Sequence, residues 1–274
     1  MSAPSPREAA SPRLEWARRQ VYALSYLTWY ELRQQYSRAT LGMLWFLITP
    51  LLLLVVYGFI ITRIYRVDIP GKTTTAYSLL ILCGLMPWLA FSEALGNACL
   101  SIVNFPAVVR NSPLPAVFLP TVKVLQSFTG LAFAYTLTLI VAGATGNLDA
   151  KRLVVAPFAY VCLLGFTLGV GWFFAALAVY LRDVTQAIST ILLLGLFASP
   201  VLYTPDMAQG LPHYVHLVIA WNPIAPYLGL LRSVLDGAPL VARDLALAPL
   251  VALAALTGGF WFFRRLEPGM ADSL

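Results

Sequence analysis

The chain has 274 residues, of which 59% are hydrophobic and only 11% charged, with a net charge of +6. Soluble domains carry roughly 25% charged residues, so a wet surface around one soluble core is excluded as the architecture. Nucleic-acid binding is not expected either, because the basic residues crowd the first 40 positions and the pair Arg264-Arg265, as membrane flanks do.

Residues 1–10 are rich in Ser, Ala and Pro and are expected to be disordered. The first apolar run begins at Leu41, too late for the core of a cleaved signal peptide. Ser11-Pro12 reads as a helix start. From Arg13 to about Ser37 the pattern is amphipathic, with Leu14, Ala17, Val21, Leu24 and Thr28 at three- and four-residue steps. Trp16, Tyr22, Tyr26, Trp29 and Tyr30 accompany them. Such a helix suits the membrane interface or the surface of a partner.

Uncharged runs follow at 39–62, 73–92, 124–148, 153–181, 184–205 and 245–263. About 20 helical residues cross a ~30 Å hydrocarbon layer, so each run is read as a span. Pro50, Pro87 and Pro200 lie within the first, second and fifth. The segment from Met207 to Leu231 is also uncharged, but Pro212, Asn222-Pro223 and Pro226 cut it into pieces too short to cross. Short helices of that kind suit a re-entrant pair shielded by protein. The expected fold is all-α and integral to the membrane: six transmembrane helices, an N-terminal interfacial helix, and short re-entrant helices between spans five and six. Its parts are a tail and interfacial helix (1–40), a transmembrane domain (41–265) and a C-terminal tail (266–274).

With the N-terminus inside, 11 Lys and Arg fall on the cytoplasmic side and 7 outside, the sign expected for cytoplasmic termini. A seven-span chain gives the same counts, so the prolines, not the charges, favour six.

Chemistry is sparse. Gly71-Lys72-Thr73 resembles the end of a phosphate-binding loop, but Arg66 stands where that loop needs glycine. His213 and His216 lack a third ligand and are read as loop residues. Cys83, Cys99 and Cys162 sit in or beside apolar runs and read as small core residues. No nucleophile–base set stands out, so no catalytic, metal or cofactor site is expected. Glu93 and Lys123 are ionisable residues at or near membrane depth. They are functional candidates or boundary residues flanking the loop at 99–115. In that loop 101–105 and 106–110 can each form a short helix.

Four motifs in order resemble the permease subunits of ABC-2 type polysaccharide exporters. They are Arg38-Ala39-Thr40-Leu41-Gly42-Met43-Leu44-Trp45 with Pro50-Leu51-Leu52; Gly84-Leu85-Met86-Pro87-Trp88 with Phe91-Ser92; Leu181-Arg182-Asp183-Val184; and Trp221-Asn222-Pro223-Ile224-Ala225-Pro226 with Arg232. Ala116-Val117 departs from the pattern, because a basic–acidic pair is expected after Pro115.

The resemblance implies the permease subunit of an ATP-driven ABC exporter that moves lipid-linked polysaccharide, either O-antigen or capsule. The permease would be a homodimer bound to two copies of a separate ABC ATPase that holds the ATP. It would sit among lipids of the bacterial inner membrane, with room for periplasmic export partners. Asn104, Phe105, Arg110, Asn111, Arg182 and Asp183 would couple to the ATPase. Trp221, Asn222, Pro223, Pro226 and Arg232 would form a periplasmic gate. Sugars stack their C–H faces on aromatic rings, so Trp45, Phe46, Tyr57, Phe59, Trp88, Phe91, Phe197 and Tyr203 are the channel candidates. Export of a small hydrophobic drug or of teichoic acid is the alternative on the same fold. A membrane-embedded enzyme would need carboxylate or His clusters that the sequence lacks. A non-transporting scaffold would not need the broken segment.

Overall fold

The computed structural model describes residues 12–37, 40–60, 73–112, 114–203 and 212–274. Among them lie ten α-helices and no strand. These are α1 (Pro12–Ser37), α2 (Trp45–Phe59), α3 (Thr74–Leu100), α4 (Pro106–Asn111), α5 (Phe118–Ala144), α6 (Val155–Tyr180), α7 (Asp183–Ala198), α8 (His213–Ala220), α9 (Ala225–Arg232) and α10 (Ala242–Ser273). Four of them, α3, α5, α6 and α10, are long and apolar enough to cross a membrane.

Local chemistry explains the helix ends. Thr73 is extended, and its Oγ1 accepts the Ala76 N–H at 3.2 Å, capping α3. At the far end of α5, Gly146 takes φ +70°. That left-handed turn lets Gly146 N–H donate to the Gly143 carbonyl (3.2 Å) and Asn147 N–H to the Ala142 carbonyl (2.8 Å), closing the helix. The chain then runs to the segment after α9, where Asp149 N–H donates to the Val234 carbonyl at 2.9 Å. Arg152 adds bonds to the carbonyls of Ala238 (2.5 Å) and Ser233 (3.4 Å).

The bundle therefore has two ends. The α9 end gathers the start of α3, the α5–α6 turn and the start of α10. The α4 end gathers the end of α3, the start of α5, the end of α6 and the end of α10. Helix α1 joins the α4 end: Lys123 Nζ meets Glu31 Oε2 at 2.7 Å, and Gln126 Nε2 donates to Gln35 Oε1 at 2.7 Å. Both α1 and the C-terminal residues thus lie at the same end.

Helix α3 is the central element: 78% of its apolar window is buried, against 17% for α10, which presents its outer face outward. The tightest helix pair is α6 with α10. Gly169 and Gly259 oppose each other there, and a Cβ on either would overlap backbone of the other helix. Small residues are what permit such close packing of apolar helices.

Several sequence expectations need correction. The last helix does not stop at Arg265; it continues to Ser273, because Met270 packs into a second core with Ile102, Val179 and Phe263. The third apolar helix begins at Phe118, before Lys123, and Glu31 of α1 pairs with that cation. Residues 101–104 form a turn rather than helix, and helix restarts at Pro106, whose fixed φ suits a first helical position. In α1 the packed face carries Thr28 and Leu32, whereas Val21 is 66% exposed beside Tyr22, Tyr26 and Trp29.

Candidate functional site

Two regions at opposite ends, and the helices between them, hold the sequence-derived candidates. The α9 end is built around Arg232. This residue ends α9, is 5% exposed, and has no carboxylate partner among the described ion pairs. Its donors are spent on backbone instead. Nε donates to the Leu80 carbonyl of α3 (2.8 Å), Nη1 to the carbonyls of Pro200 (2.5 Å) and Tyr203 (3.3 Å), and Nη2 to that of Val201. One fork-shaped cation thus ties α9, α3 and the segment after α7 together. A Cβ at Gly84, one turn along α3, would overlap the guanidinium. That is a physical reason for the glycine in the Gly84–Trp88 motif.

Other groups complete this clamp. Tyr135 Oη donates to the Leu231 carbonyl (2.5 Å), and Tyr227 Oη to the Ala248 carbonyl (3.1 Å). Asn222 Nδ2 donates to Ser199 Oγ (2.9 Å) and the Ala198 carbonyl (3.3 Å), while its Oδ1 accepts the Ile224 N–H (2.9 Å). The broken segment is therefore two helices of eight residues, α8 and α9, joined by an Asn-Pro turn. Pro226 is buried and Pro223 is exposed. Trp221 projects outward, 83% exposed. Tyr135 and Tyr227 were not singled out by sequence; a tyrosine near a broken segment carries no distinctive spacing.

The α4 end is open by comparison. Asn104, Phe105, Arg110 and Asn111 are all exposed around α4, and Arg182 and Asp183 are exposed at the α6–α7 turn of the same end. Arg110 Nε donates to the Ala271 carbonyl at 3.1 Å, fixing α4 to the end of α10. Between α1, the α4 segment and the start of α5 lies an apolar cavity of about 350 Å³. Phe105, Val108, Leu119 and the Lys123–Glu31 pair contribute to its wall. Lys123 Nζ also lies 5.9 Å from the Phe105 ring centroid, within cation–π range. Glu31 was missed by sequence reasoning, because its partner lies 92 residues away.

The channel candidates divide. Trp45 (37%), Phe59 (58%) and Phe197 (64%) are exposed on α2 and α7. Tyr57 and Tyr203 are half-buried, and the Phe46 side chain lies outside the described residues. Trp88 and Phe91 are packed inside the chain, 4% and 5% exposed. They begin an aromatic file in which successive centroids are 5.6 Å (Trp88–Phe91), 5.8 Å (Phe91–Phe166) and 5.5 Å (Phe166–Tyr227) apart. Their place on the expected lumen wall is corrected: their rings are consumed in joining α3, α6 and α9. No three His, Cys, Asp or Glu side chains converge as a metal site among the described residues.

Comparison with known proteins fits this arrangement. A family model described as ABC-2 type transporter matches residues 22–235. The O-antigen export system permease protein RfbA of Myxococcus xanthus is 29% identical over 227 residues, covering 83% of this chain and 84% of that protein. An RfbA permease of the same description from Klebsiella pneumoniae is 26% identical over 249 residues, covering 89% of this chain and 92% of that protein.

Proposed function

Because the chain belongs to the ABC-2 type transporter family, we propose that it is the permease subunit of an ATP-driven exporter that moves an O-antigen-type, lipid-linked polysaccharide across the bacterial inner membrane. The observation that carries this reading is the match over residues 22–235 together with near full-length likeness to two O-antigen export permeases. ATP would be bound and hydrolysed by a separate ATPase, two copies of which serve a permease homodimer.

Six crossings would suit that role. Helix α7, 16 residues or about 24 Å long, leaves the α4 end at Asp183 and delivers Pro200 and Val201 to Arg232 at the α9 end. Helix α2, 15 residues long, would add another crossing. With α3, α5, α6 and α10, the four helices long and apolar enough to cross, the total would be six. The α4 end would face the cytoplasm, where the arginine-rich N-terminal segment belongs. Exposed Asn104, Phe105, Arg110, Asn111, Arg182 and Asp183 would receive the ATPase. Helices α8 and α9, each about 12 Å long, would re-enter from the periplasmic side and form the gate with Trp221, Asn222, Pro223, Pro226 and Arg232. The exposed aromatic faces of α2 and α7, through Trp45, Phe59 and Phe197, would meet the polymer or the second subunit, with Tyr57 and Tyr203 beside them.

The test is complementation. In a strain lacking its own O-antigen permease and supplied with this chain and its ATPase, surface polysaccharide should return. Purified permease alone should not hydrolyse ATP. Surface polysaccharide that stays absent while both proteins are present in the membrane would overturn the reading.

A further inference from the structure

Between α2, α3 and α5 lies a small cavity of about 120 Å³, separate from the two ends. Thr49, Glu93 and Ser127 supply its polar wall, and Leu53, Met86 and Leu131 belong to its apolar wall. Glu93 sits on α3 seven residues before its end, about 10 Å inside the helix terminus. Glu93 is exposed at the cavity rim, and a carboxyl at or near membrane depth is a functional candidate. The described ion pairs are Lys123–Glu31, Arg152–Asp149 and Arg264–Glu267, and none involves Glu93. Ser127 is the second, independent sign: it is 5% exposed, and its Oγ has no hydrogen-bond partner. Buried hydroxyls are rarely left unsatisfied, so the cavity presents an acceptor pair and an unsatisfied hydroxyl to whatever fills it.

We propose that this cavity is a subsite for the hydroxyl-bearing edge of a sugar, gripped as the polymer passes. The inference rests on the polysaccharide-export reading. The donor–acceptor set selects the ligand. A carboxylate accepts from two hydroxyls at once, and Ser and Thr hydroxyls donate or accept. The apolar wall suits sugar C–H groups. Among the described residues no cation lines the cavity, which argues against a phosphate or other anionic group. At ~30 Å³ per water the volume equals about four waters, room for a diol or hydroxymethyl edge. Such a contact is weak enough to release and re-form, as a sliding chain requires.

The experiment uses the complementation strain and the assembled transporter. At equal membrane levels, Glu93→Gln and Ser127→Ala should each lower surface polysaccharide about fivefold, the order set by one hydrogen bond. The double variant should fall no further than twofold below Glu93→Gln, because both groups hold the same edge. In parallel, the wild-type permease–ATPase complex in nanodiscs is treated with dicyclohexylcarbodiimide, and modification of Glu93 is followed by mass spectrometry. Lipid-linked polysaccharide purified from the producing strain should slow modification about fivefold, while the lipid carrier without sugars should not. Variants that export like wild type, or labelling unchanged by the polymer, would overturn the subsite while leaving the export reading intact. Protection by the bare carrier would overturn it as well, in favour of a lipid contact. If Glu93→Gln does not reach the membrane, Ser127→Ala and the labelling decide. A wild-type chain that restores no polysaccharide would instead remove the export reading itself.

Discussion

The two ends of the bundle solve the same electrostatic problem differently. At the α9 end a guanidinium is buried to 5% exposure and spread over four carbonyls from α3 and the segment after α7. At the α4 end an ammonium keeps 20% of its side-chain surface and relies on one carboxylate, Glu31, beside a cavity of about 350 Å³. The four carbonyls come from helix α3 and the turn after α7, so the first arrangement fixes the relative position of three segments. A single ion pair between side chains tolerates displacement, so the second leaves α1 able to shift against α5. On the exporter reading, the stiff end would hold a gate and the pliable end would receive the ATPase stroke.

The largest effect should come from breaking the stiff end. Arg232→Met removes the donors of Leu80, Pro200, Val201 and Tyr203, each buried acceptor costing about 1–3 kcal/mol if left unsatisfied. We expect a loss of at least ~3 kcal/mol, read as a marked drop in the thermal unfolding midpoint of detergent-solubilised permease. Gly84→Leu should reproduce it, because its side chain needs the space that the guanidinium fills. A midpoint unchanged in both variants would show that the carbonyl clamp does not hold this end.

Next comes the seam between the ends. Gly169→Val forces a side chain into the α10 backbone at Ala255, and overpacking of this kind costs typically ~1–3 kcal/mol. Stability should fall without preference for either end, which separates general packing from the clamp.

The smallest stability effect should come from the pliable end. Glu31→Gln breaks a partly exposed pair worth at most about 1 kcal/mol, so the midpoint should barely move. ATPase stimulation by the permease should fall nonetheless, and the exchange Glu31→Lys with Lys123→Glu should restore it. Arg110→Glu should likewise uncouple or weaken assembly while leaving stability nearly unchanged. If either variant lowers the unfolding midpoint as much as Arg232→Met, the two ends do not differ in the way described.

Periodicity and proline placement made much of the fold legible. The uncharged runs at 124–148, 153–181 and 245–263 became α5, α6 and α10, since a run that long without charge has few alternatives to a helix. Their ends were less legible. The uncharged run began after Lys123, yet α5 begins at Phe118, and the lysine pairs with a glutamate 92 residues away. Arg264-Arg265 was read as a stop, yet α10 continues, because Arg264 pairs with Glu267 at 2.7 Å and Met270 finds a core. Among site residues, Asn104, Arg110 and Asn111 lie exposed around α4, since charge and polarity mark a surface. Trp88 and Phe91 were misjudged, because an aromatic ring is equally suited to a lumen and to a helix junction.

By itself, then, the sequence determined a helical membrane protein, the segments that form its long helices, and the break at Asn222-Pro223, all of which follow from local composition and backbone restriction. Only the tertiary structure decided that Arg232 is a buried clamp, that Glu31 answers Lys123 and that Ser127 shares a cavity with Glu93. Those facts depend on residues tens to more than a hundred positions apart, and no local pattern encodes which of them will meet.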